Sequence, residues 1–573
     1  MENGDIASVI SDYADLLDIK GENAFRIRSY NSAVRTIRDL TVSLEQMVKD
    51  EEDLTSIKGI GKSIAEKISE VVETGTFKSH ESLKKKLNPS LLDLLRLEGF
   101  GPKKVKLVYE ELGIDSVDAL ESAAKKGDLR DLAGMGAKTE EKLLKSIAHF
   151  RTGIGRFRIS VGVEKGEAIL NYMREVKGIE QLEMAGSLRR RRETIGDLDV
   201  LAVCKDQQEV MDHFVSYPEV EEVLAHGQTK SSIRLHNGLQ VDCRVVPAES
   251  FGAALHYFSG SQSHNIAIRG RANDRGLTIN EYGVAEVKSG RRVSGAEEKD
   301  IFEAVGLPWI PPELRENRGE IEEAEAGELP KLIEVGDMKG DLQMHTTASD
   351  GANSILEMAE KCKSRGYEYC AITDHSKAVV VANGLNEERL AEHLKEIDKA
   401  NDQIKGFQIL KSVEVDVMPD GSLDLEDRIL SECDVVVASV HFQTRMPPEE
   451  MTARILKGFE NPNVSILAHP TGRLVLEREA FQFDMEKVFA AAKEAGIFLE
   501  INAHPHRLDL NDIHCRQAKE AGAGIVISTD AHRKQELDLM PYGVWTARRG
   551  WLEKKDVINT RPLKSFLKAL RKK

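Results

Sequence analysis

The sequence predicts a multidomain protein of the α and α/β classes. We expect a helical first part, a middle part that mixes strands with helices, and a last part built as a parallel sheet or barrel. Three observations predict this. The 573 residues amount to about four domains at roughly 150 residues each. Short helical patterns broken by Gly fill about the first 150 residues, and strand-like runs alternate with helical runs from about residue 338 onward.

Composition excludes several classes of protein. Apolar residues make up 41% and charged residues 31% of the chain, which suits large cores and argues against global disorder. No apolar stretch approaches the roughly 18–20 residues that cross a bilayer, and the N-terminal stretch is acidic where a signal peptide is basic. The 6 Cys form no CxxC pair, which excludes disulfide frameworks and Cys-type zinc fingers. We therefore expect a cytoplasmic protein without a membrane partner.

The formal net charge is −16, from 80 basic and 96 acidic residues, which by itself argues against a nucleic-acid partner. The charges are unevenly placed, however. Acid is concentrated in a linker-like stretch over 311–330, and base is clustered at Arg189–Arg192, Lys84–Lys86 and Arg571–Lys573. Local basic patches of this kind are compatible with a bound polyanion.

One pattern recurs three times in the helical part: an apolar residue, Gly, an apolar or small residue, Gly, and then a basic helix, over 56–68, 96–112 and 132–147. Such glycines leave backbone N–H groups facing outward, where a phosphate can approach, and the lysines that follow can hold a DNA backbone without recognising its sequence. A single copy is more typical of a plain helical hairpin capped by Gly, but three copies favour DNA. The repeated unit resembles the helix-hairpin-helix motif. The predicted DNA contacts are Gly59, Gly61, Lys62, Gly99, Gly101, Lys103, Gly134 and Gly136.

The middle part contains carboxylates in a pattern that suits metal ions. Asp197 and Asp199 alternate on a predicted strand, so both project to one face. Asp242, in a second predicted strand over 239–246, can add a third carboxylate beside them. Three oxygen ligands on adjacent strands suit two Mg²⁺ ions, a pair that activates an attacking hydroxyl and stabilises the leaving oxygen.

An isolated Asp-x-Asp is usually a solvated strand face, but here more residues accompany it. Gly186 and Ser187 precede the pair by about ten residues, with Arg190 between them. Amide groups, a hydroxyl and a guanidinium fork suit a triphosphate. The combination resembles the signature of the nucleotidyltransferase superfamily.

The segment HYFSGSQSHNIAIRGRA over 256–272 narrows the prediction. Taken alone it is an amphipathic helix after a Gly turn, but the whole string closely resembles the nucleotide-binding segment of family X DNA polymerases, which include eukaryotic DNA polymerase beta. The resemblance implies that Asp197, Asp199 and Asp242 are the catalytic carboxylates and hold Mg²⁺ or Mn²⁺.

The same resemblance implies a set of nucleotide contacts. Gly186, Ser187, Arg190 and Gly196 match the residues that hold the triphosphate. Ile195 departs from the family, which often has a hydroxyl residue there, so we expect one triphosphate contact to be weaker.

Around the sugar and base, Tyr257 and Phe258 match residues that pack against the incoming sugar, and Gly260 belongs to the same nucleotide-binding set. Asn265 matches a base-edge contact and Arg269 a template-side contact.

The first 80 or so residues look like the small 5′-phosphate-binding domain of that family. Lys67 falls where some members carry a Schiff-base lysine that removes deoxyribose phosphate. That chemistry needs a lysine whose pKa is lowered toward neutrality. The alternative is an exposed lysine that holds a phosphate.

Nearly every predicted strand of the last part ends in a metal-type side chain. Side chains at the carboxyl ends of successive strands converge on one face of a barrel. Nitrogen and carboxylate ligands in this number suit two or three ions such as Zn²⁺ or Mn²⁺, which activate water for phosphoester hydrolysis. A single His is more often an ordinary buried residue, but that explanation does not account for the shared position of the set. The set is His345, Asp350, His375, Glu414, His441, His469, Asp530 and His532.

The motifs that carry this set resemble those of the PHP domain, which implies a distorted seven-stranded barrel with phosphoesterase activity. The first motif departs from the family, because Gln343 stands where a His is usual. An amide carbonyl is a weaker ligand than imidazole, so we expect one ion to bind loosely or hydrolysis to be slowed. The motifs lie over 341–351, 372–376, 439–441, 467–470 and 528–532.

The two resemblances span essentially the whole chain and divide it into six segments. They are a 5′-phosphate-binding, lyase-like domain (1–85), a helix-hairpin-helix domain (86–153), a nucleotidyltransferase palm (154–248), a nucleotide-selecting, thumb-like domain (249–318), a linker (319–337) and a PHP phosphoesterase domain (338–573).

The sequence therefore predicts a family X DNA polymerase of bacterial or archaeal type with a C-terminal PHP domain. We expect it to fill short gaps in DNA repair by adding dNTPs to gapped or primed DNA. We expect the PHP site to act as a 3′-5′ exonuclease, to process 3′ ends or to cut abasic DNA. No segment is typical of an oligomer interface, so a monomer is expected.

Three alternatives explain less of the sequence. The intact set of Asp197, Asp199 and Asp242 argues against a hydrolase whose polymerase half only binds DNA. The abundance of metal-type residues argues against a non-catalytic DNA-binding scaffold, because unpaired buried carboxylates are costly. The Gly-x-Gly turns and the Tyr257–Phe258 pair favour DNA over a transferase that acts on RNA or a small molecule.

Overall fold

The structure is a computed structural model of the chain, and it describes residues 3–40, 42, 44–88, 90–95, 97, 100–151 and 155–570. The chain divides into two compact units, Met1–Arg156 with Leu235–Leu239, and Phe157–Arg234 with Gln240–Lys573. Within the described residues, no helix has both the length and the apolar character needed to cross a membrane.

The first unit is helical, as the sequence predicts, and contains α1 (Asn3–Lys20), α2 (Ala24–Asp39), α3 (Leu44–Lys49), α4 (Lys62–Thr74), α5 (Lys78–Lys84), α6 (Leu91–Leu95), α7 (Pro102–Leu112), α8 (Val117–Lys126) and α9 (Ala137–Arg151). Apolar residues recur every three to four positions, so each helix presents an apolar face to its neighbours. In α1, Ile6, Ile10 and Leu17 lie on such a face and are buried.

Buried apolar side chains of the described residues form two clusters in this unit. Helices α1–α5 and the segments between them supply the first, in which the rings of Tyr13 and Phe77 meet edge to face with centroids 4.9 Å apart. Helices α6–α9 supply most of the second, around Leu94, Phe100 and Val108.

The second unit begins with a mixed sheet and its helices: β1 (Phe157–Arg158), α10 (Ile159–Met173), β2 (Ile179–Met184), α11 (Gly186–Arg189), β3 (Thr194–Ile195), β4 (Asp197–Cys204), α12 (Gln207–Val215), β5 (Val220–His226), β6 (Lys230–Leu235) and β7 (Gln240–Val245). The main sheet has the strand order β2-β4-β7-β6-β5. Strand β4 pairs antiparallel with β2 and parallel with β7, and β7 pairs antiparallel with β6. The two predicted strands that carry aspartates are therefore neighbours in one sheet.

A smaller three-stranded sheet and its helices follow: α13 (Phe251–Ser259), α14 (Gln262–Asn273), β8 (Leu277–Asn280), β9 (Gly283–Glu286), β10 (Arg292–Ser294), α15 (Glu298–Ala304) and α16 (Glu320–Ala326). Their shared core includes Ile268, Ile301 and Phe302. The segment 319–337, whose composition is typical of a linker, also contributes to it. Helix α16 adds Ile321 and Ala324 to the same buried cluster.

The last part alternates strands and helices: β11 (Gly340–Asp341), α17 (Ile355–Ser364), β12 (Tyr369–Ile372), α18 (Glu387–Gln403), β13 (Gln408–Asp416), α19 (Asp427–Leu430), β14 (Val435–Ser439), α20 (Pro448–Phe459), β15 (Val464–Leu467), α21 (Met485–Ala495), β16 (Phe498–Asn502), α22 (Asp512–Ala521), β17 (Gly524–Ser528), α23 (Met540–Arg549) and α24 (Leu563–Leu570). The seven strands are parallel and lie in chain order. A parallel bridge between Met344 and Ala531 links the two ends of the sheet, so the barrel nearly closes. The predicted α/β barrel is confirmed.

Two apolar clusters pack against the barrel strands. One lies inside the barrel, and the other lies between the strands and the outer helices. The inner cluster contains Leu410, Val437 and Val526. It also contains Phe566 of α24, which stacks on Tyr369, the first residue of β12, at 4.9 Å between ring centroids. Helix α24 therefore covers the amino ends of the strands and leaves the carboxyl ends for the site.

Gly252, in α13, tests how tightly that helix packs against the start of α15. A Cβ atom added there would lie 2.0 Å from the carbonyl carbon of Glu297, and backbone cannot yield as a side chain does. We expect Gly252→Ala to lower the free energy of unfolding of the second unit by ~1–3 kcal/mol, the usual range for overpacking, as measured by urea unfolding.

Gly270→Ala is the matched control, because Gly270 is also helical and no atom of the described residues lies within 4 Å of an added Cβ. That substitution should be neutral or should stabilise the protein by up to ~1 kcal/mol. Equal losses of stability in the two variants would contradict the proposed overpacking at Gly252.

Candidate active sites

Three carboxylates lie together on adjacent strands of the five-stranded sheet. Asp197 and Asp199 are the first and third residues of β4 and so project to the same face. Asp242 lies in β7, and the parallel register pairs it directly with Asp199. The apolar neighbours Val200 and Val241 are fully buried, which anchors both strands in the sheet.

The carboxylates repel one another. Burial, followed by the charges of Asp197 and Asp242, raises the pKa of Asp199 to about 7. Burial alone would also raise the pKa of Asp242, but hydrogen bonds from Lys230 Nζ and Gln240 Nε2, each 2.9 Å long, lower it. Crowded oxygen ligands that need compensating charge suit a divalent cation. These residues therefore fit the ions that the sequence predicts.

A turn rich in arginine, Gly186–Arg192, lies against these carboxylates and is called the arginine turn below. Gly186 has a φ of +65°, and a Cβ added to it would lie 2.5 Å from Asp199 Oδ2. Glycine is therefore required for so close an approach. The N–H of Ala185 donates to the carbonyl of Asp199 at 2.8 Å, which ties the turn to β4. Gly186 and Ser187, the predicted triphosphate residues, come directly after this hydrogen bond. They are therefore held beside the strand that carries the carboxylates.

Arg190 is held in place by protein groups. Its Nε donates to Glu316 Oε1 at 3.0 Å, and its Nη1 donates to the carbonyl of Ser259 at 2.7 Å. Only 13% of its side chain is exposed, so the guanidinium is fixed rather than free to swing. Its contact with a triphosphate stays a prediction.

Tyr257 and Phe258 lie in the last turn of α13, and their rings meet edge to face with centroids 5.0 Å apart. The guanidinium of Arg244 lies 4.5 Å from the ring centroid of Phe258. Because Arg244 follows Asp242 by two positions on β7, this contact joins the aromatic pair to the carboxylate strand.

Asn265 stabilises the turn between α13 and α14. Its Nδ2 donates to the carbonyls of Tyr257 and Gly260 at 2.7 and 3.3 Å. A Cβ added to Gly260 would lie 2.3 Å from Asn265 Oδ1, so the close approach requires glycine. Arg269 is exposed on α14, with its Nε 3.2 Å from the carbonyl of Asn265. The base and template contacts of these residues stay predictions.

Ile195, where the family often has a hydroxyl residue, has a structural partner. It is fully buried, and a Cβ added to Gly162 of α10 would lie 2.4 Å from its Cδ1. The isoleucine therefore fills space that Gly162 leaves open. The neighbouring Gly196 is exposed.

The metal-type side chains of the barrel converge at the carboxyl ends of its strands. His375 belongs to two groups whose ligand atoms lie within 4.8 Å of one another. The first group is His345, Asp350, His375 and His532, and the second is His375, Glu414 and His441.

Glu414 lies at the centre of this site. His375 Nδ1 is 3.0 Å from Glu414 Oε2, and His469 Nε2 is 3.1 Å from Oε1. The Nε2 atoms of His441 and His345 are 3.5 and 3.6 Å from the same carboxylate. Asp530 joins through His345, at 3.1 Å between Oδ1 and Nε2. All eight histidines and carboxylates that the sequence singles out are thus brought together.

The histidines of this site differ in pKa. Burial alone would lower the pKa of His375 and His532, but the carboxylates Glu414 and Asp350 outweigh it and raise both values to about 9. Burial and then Arg507 lower the pKa of His469 to about 4. Carboxylates that hold protons on neighbouring imidazoles show an excess of negative charge, which cations such as Zn²⁺ or Mn²⁺ compensate. The ligand set fits such ions.

Gln343 points to the same conclusion. It is 1% exposed, and within the described part of the chain neither its side-chain Oε1 nor its Nε2 has a hydrogen-bond partner. The backbone carbonyl of Gln343 accepts from the backbone N–H of Asp530 at 3.0 Å, which fixes the residue beside the site. A buried amide without partners is costly, so the side chain fits a ligand role.

Three further residues support the barrel site and were missed from sequence. Asp416 Oδ2 lies 3.0 Å from His441 Nδ1, which orients that ring. Asn502 Nδ2 donates to Asp530 Oδ2 at 3.0 Å, and Arg507 Nε lies 3.4 Å from the same oxygen. Asp416 follows Glu414 by two positions on β13, a spacing that could have revealed it. Arg507 lies in a loop with no such signal.

Two of the Gly-x-Gly turns of the first unit begin with a glycine in the left-handed backbone region. Gly59 and Gly134 have φ values of +97° and +77°, the region that favours glycine. Gly61, Gly101 and Gly136 directly precede α4, α7 and α9. Gly99 lies outside the described residues.

The first of these turns lines a groove of about 970 Å³ together with Arg26, Tyr30 and Lys58. Lys62 also lines it and is exposed, as is Lys103 in the second turn. Exposed basic side chains beside exposed glycine turns suit a phosphate backbone.

Lys67 lies in α4, and its Nζ donates to the carbonyl and hydroxyl of Ser63 at 2.9 and 3.0 Å. The Nζ is also 5.9 Å from the ring centroids of Tyr30 and Phe77. Lys67 therefore contacts Ser63 and lies near Tyr30, which both line the groove. Its lyase role stays a prediction.

Family models match successive parts of the chain. They describe a helix-hairpin-helix domain over residues 1–77, a SAM-like helix-hairpin-helix tandem over 91–148, the DNA polymerase beta thumb over 254–316 and the PHP domain over 341–504. Crowded carboxylates on a mixed sheet, joined to a barrel that gathers histidines, define a nucleotidyltransferase combined with a metal-dependent phosphoesterase.

Curated relatives identify the family. The chain is 40% identical over 573 residues to the DNA polymerase/3′-5′ exonuclease PolX of Bacillus subtilis (strain 168), which covers 99% of this chain and 100% of that protein. It is also 30% identical over 246 residues to a probable phosphatase of Thermoanaerobacter sp. (strain X514), which covers 41% of this chain and 96% of that protein. The chain belongs to the family X DNA polymerases that carry a C-terminal PHP domain, as the sequence predicts.

We expect Gln343→His to tighten Mn²⁺ binding at the barrel about tenfold or more, because imidazole is a stronger ligand than an amide. Isothermal titration calorimetry measures the change. Gln408→His is the matched control, because Gln408 is the first residue of β13, at the amino end of the same barrel. Weaker binding in Gln343→His than in the wild type would show that the amide is the better fit.

We expect Asp416→Asn to weaken metal binding at the barrel by about 10–100-fold, because His441 loses the carboxylate that orients it. Calorimetric titration with Mn²⁺ checks this. Asp420→Asn, which alters an exposed acid in the following turn, should leave the affinity unchanged. Unchanged affinity in both variants would exclude an orienting role for Asp416.

Proposed function

We propose that the chain is a DNA-directed DNA polymerase that fills short gaps during DNA repair, and that its barrel is a 3′-5′ exonuclease that prepares the primer end. The observation that carries this proposal is the parallel register that sets Asp199 opposite Asp242 on the sheet. The identity of 40% with the DNA polymerase/3′-5′ exonuclease PolX of Bacillus subtilis, over nearly the whole chain, supports both activities.

At the sheet, Asp197, Asp199 and Asp242 would hold Mg²⁺ or Mn²⁺, and in the barrel His345, His375, Glu414 and their neighbours would hold Zn²⁺ or Mn²⁺. When bound, these ions neutralise phosphate charge and lower the pKa of the primer hydroxyl or of water. The raised pKa of Asp199 and the raised pKa of His375 beside Glu414 support a need for cations at both places.

In the polymerase reaction, the primer 3′ hydroxyl loses its proton to solvent and its oxygen bonds to the α-phosphorus of a dNTP. The bond from the α-phosphorus to the oxygen that bridges to the β-phosphate breaks, and pyrophosphate leaves. The arginine turn would hold the triphosphate through the amides of Gly186 and Ser187 and the guanidinium of Arg190. Its tie to β4 keeps the phosphates beside the carboxylates. Tyr257 and Phe258, anchored by Arg244, would pack against the sugar.

In the exonuclease reaction, the oxygen of a water molecule bonds to the phosphorus of the terminal phosphodiester, the bond from that phosphorus to the 3′ oxygen breaks, and a proton of the water passes to the leaving 3′ oxygen. Asp416 keeps the His441 ring in one orientation, and Arg507 brings positive charge beside Asp530 that suits the phosphate of the substrate. Removal of a blocked or frayed 3′ end frees the hydroxyl that the polymerase needs. Abasic or 3′-blocked DNA is therefore a fitting further substrate.

The DNA partner would be held by the helix-hairpin-helix turns of the first unit. Gly61, Gly101 and Gly136 are exposed at the starts of helices, and Lys62 and Lys103 are exposed beside two of them. This supports contacts with the phosphate backbone that do not depend on base sequence. We also propose that the protein is a monomer and that it works in the cytoplasm. The reducing cytoplasm suits its six unpaired cysteines.

One gel tests both activities. A 5′-labelled primer on gapped DNA is incubated with Mg²⁺ or Mn²⁺, with and without dNTPs. We expect lengthening with dNTPs and shortening without them. A primer that shortens but never lengthens would make the sheet a DNA-binding module only, and a primer that never changes would support a scaffold.

The two activities should separate by mutation. We expect Asp199→Ala to abolish extension, with a loss of about 10³-fold or more, and to leave 3′-end hydrolysis intact. His469→Ala should remove hydrolysis and leave extension intact, because His469 lies 3.1 Å from Glu414 in the barrel. The gel assay reports both. Loss of both activities in one variant that remains folded would show that the sites are not independent.

A further inference from the structure

The carbonyl group of Arg190, at the end of the short helix α11, is bound by a residue that lies 359 positions away. The Nη1 of Arg549, the last residue of α23 in the barrel part, donates to this carbonyl at 2.8 Å. The last carbonyls of a helix have no partner within the helix, so a cationic donor there acts as a cap. Arg549 therefore caps the arginine turn from the barrel side.

The same guanidinium takes part in a buried network of charges. Its Nη1 also donates to Glu316 Oε1 at 3.1 Å, the oxygen that accepts from Arg190 Nε at 3.0 Å. Its Nη2 donates to Asp512 Oδ2 at 2.7 Å. Burial alone would raise the pKa of Glu316, but Arg190 and Arg549 outweigh it and hold that pKa well below its usual range. One carboxylate thus joins the barrel arginine to the turn arginine.

A second contact reaches the turn from the same helix. The guanidinium of Arg191 lies 4.0 Å from the ring centroid of Trp545 in α23. Arg191 has a φ of +58°, a left-handed conformation that a side chain other than glycine rarely adopts. Such backbone persists where surrounding contacts fix it. Trp545 and Arg549, four positions apart, lie on one face of α23 and contact successive residues of the turn.

We infer that α23 of the barrel is a working part of the polymerase site, with Arg549 as a positioning residue that holds the arginine turn in the conformation that receives the triphosphate. The inference rests on the proposed polymerase function and adds to it. The barrel then serves synthesis as well as hydrolysis. The triphosphate is held alike before and during the reaction, so the expected effect is on dNTP affinity rather than on the chemical step.

Arg549→Met tests this in the full-length protein. We expect the KM for dNTP to rise about 10–100-fold, the usual effect of losing a charged hydrogen bond, with kcat changed less than about threefold. Arg549→Lys keeps a donor for the carbonyl and for Glu316, and should recover part of the affinity. Hydrolysis of a single-stranded 3′ end by the same preparations should match the wild type, which shows that the barrel is folded.

Glu477→Gln is the control for a general loosening of the barrel. Glu477 accepts from Arg158 and joins the same two parts of the second unit, but this ion pair includes none of residues 186–192. Its dNTP KM should equal that of the wild type. If Arg549→Met does not fold, Trp545→Leu removes the half-exposed ring under Arg191 without removing a buried charge, and it should raise KM in the same direction.

An unchanged dNTP KM in folded Arg549→Met would overturn the inference, and so would an equal loss of synthesis and hydrolysis. A rise of KM in Glu477→Gln as large as that in Arg549→Met would also overturn it. Failure of the wild type to incorporate dNTPs would instead refute the proposed polymerase function, so the two failures are distinguishable.

Discussion

The second unit depends on one constraint: several of its carboxylates are partly or fully buried, away from water. On the sheet, the parallel register sets Asp199 against Asp242. Burial, followed by the charges of Asp197 and Asp242, raises the pKa of Asp199 to about 7. In the barrel, Glu414 is fully buried and is surrounded by histidines. Such carboxylates need fixed partners or bound cations, because unpaired buried charge is unfavourable by several kcal/mol. The fold supplies the partners and leaves the remaining charge for cations.

Strand geometry explains how both sites gather their ligands. Alternation on β4 sends Asp197 and Asp199 to one face, and parallel pairing adds a neighbour from β7. In the barrel, parallel strands end on one side, so residues far apart in sequence meet there. His469 and Asp530 have φ values of +28° and +55°, which turn the chain sharply as these strands end. This unfavourable backbone coincides with the ligands, as is usual at functional sites.

The sequence predicted these features because they follow local rules. The Asp197–Asp199 spacing, the strand-end histidines and the departure at Gln343 are each visible within a few residues, and the family resemblance gave their order. The partner of the Arg190 carbonyl could not be predicted. Arg549 is separated from it by hundreds of residues, and no spacing rule connects a helix end in the barrel with a turn in the sheet. Contacts of this kind depend on the tertiary fold alone.

The acidic stretch 311–330 is a second feature whose contacts could not be predicted from the sequence. Its composition is typical of a solvated linker. In the structure Glu313, Glu316 and Glu320 are buried and paired. Glu313 accepts from Arg548 at 2.8 Å, and Glu320 Oε1 lies 2.7 Å from His264 Nδ1.

The acid of this stretch and the base of Arg189–Arg192, which look like separate features of the sequence, compensate each other through Glu316. Its carboxylate lies 3.0 Å from Arg190 Nε and 3.6 Å from Arg192 Nη1. Glu298, just before the stretch, pairs with Arg189 at 2.5 Å in the same way. The net charge of the chain is therefore a poor guide to its partners, because part of both the acid and the base is used inside the fold. The basic side chains that remain exposed, such as Lys62 and Lys103 beside their Gly-x-Gly turns, are a better guide than the net charge.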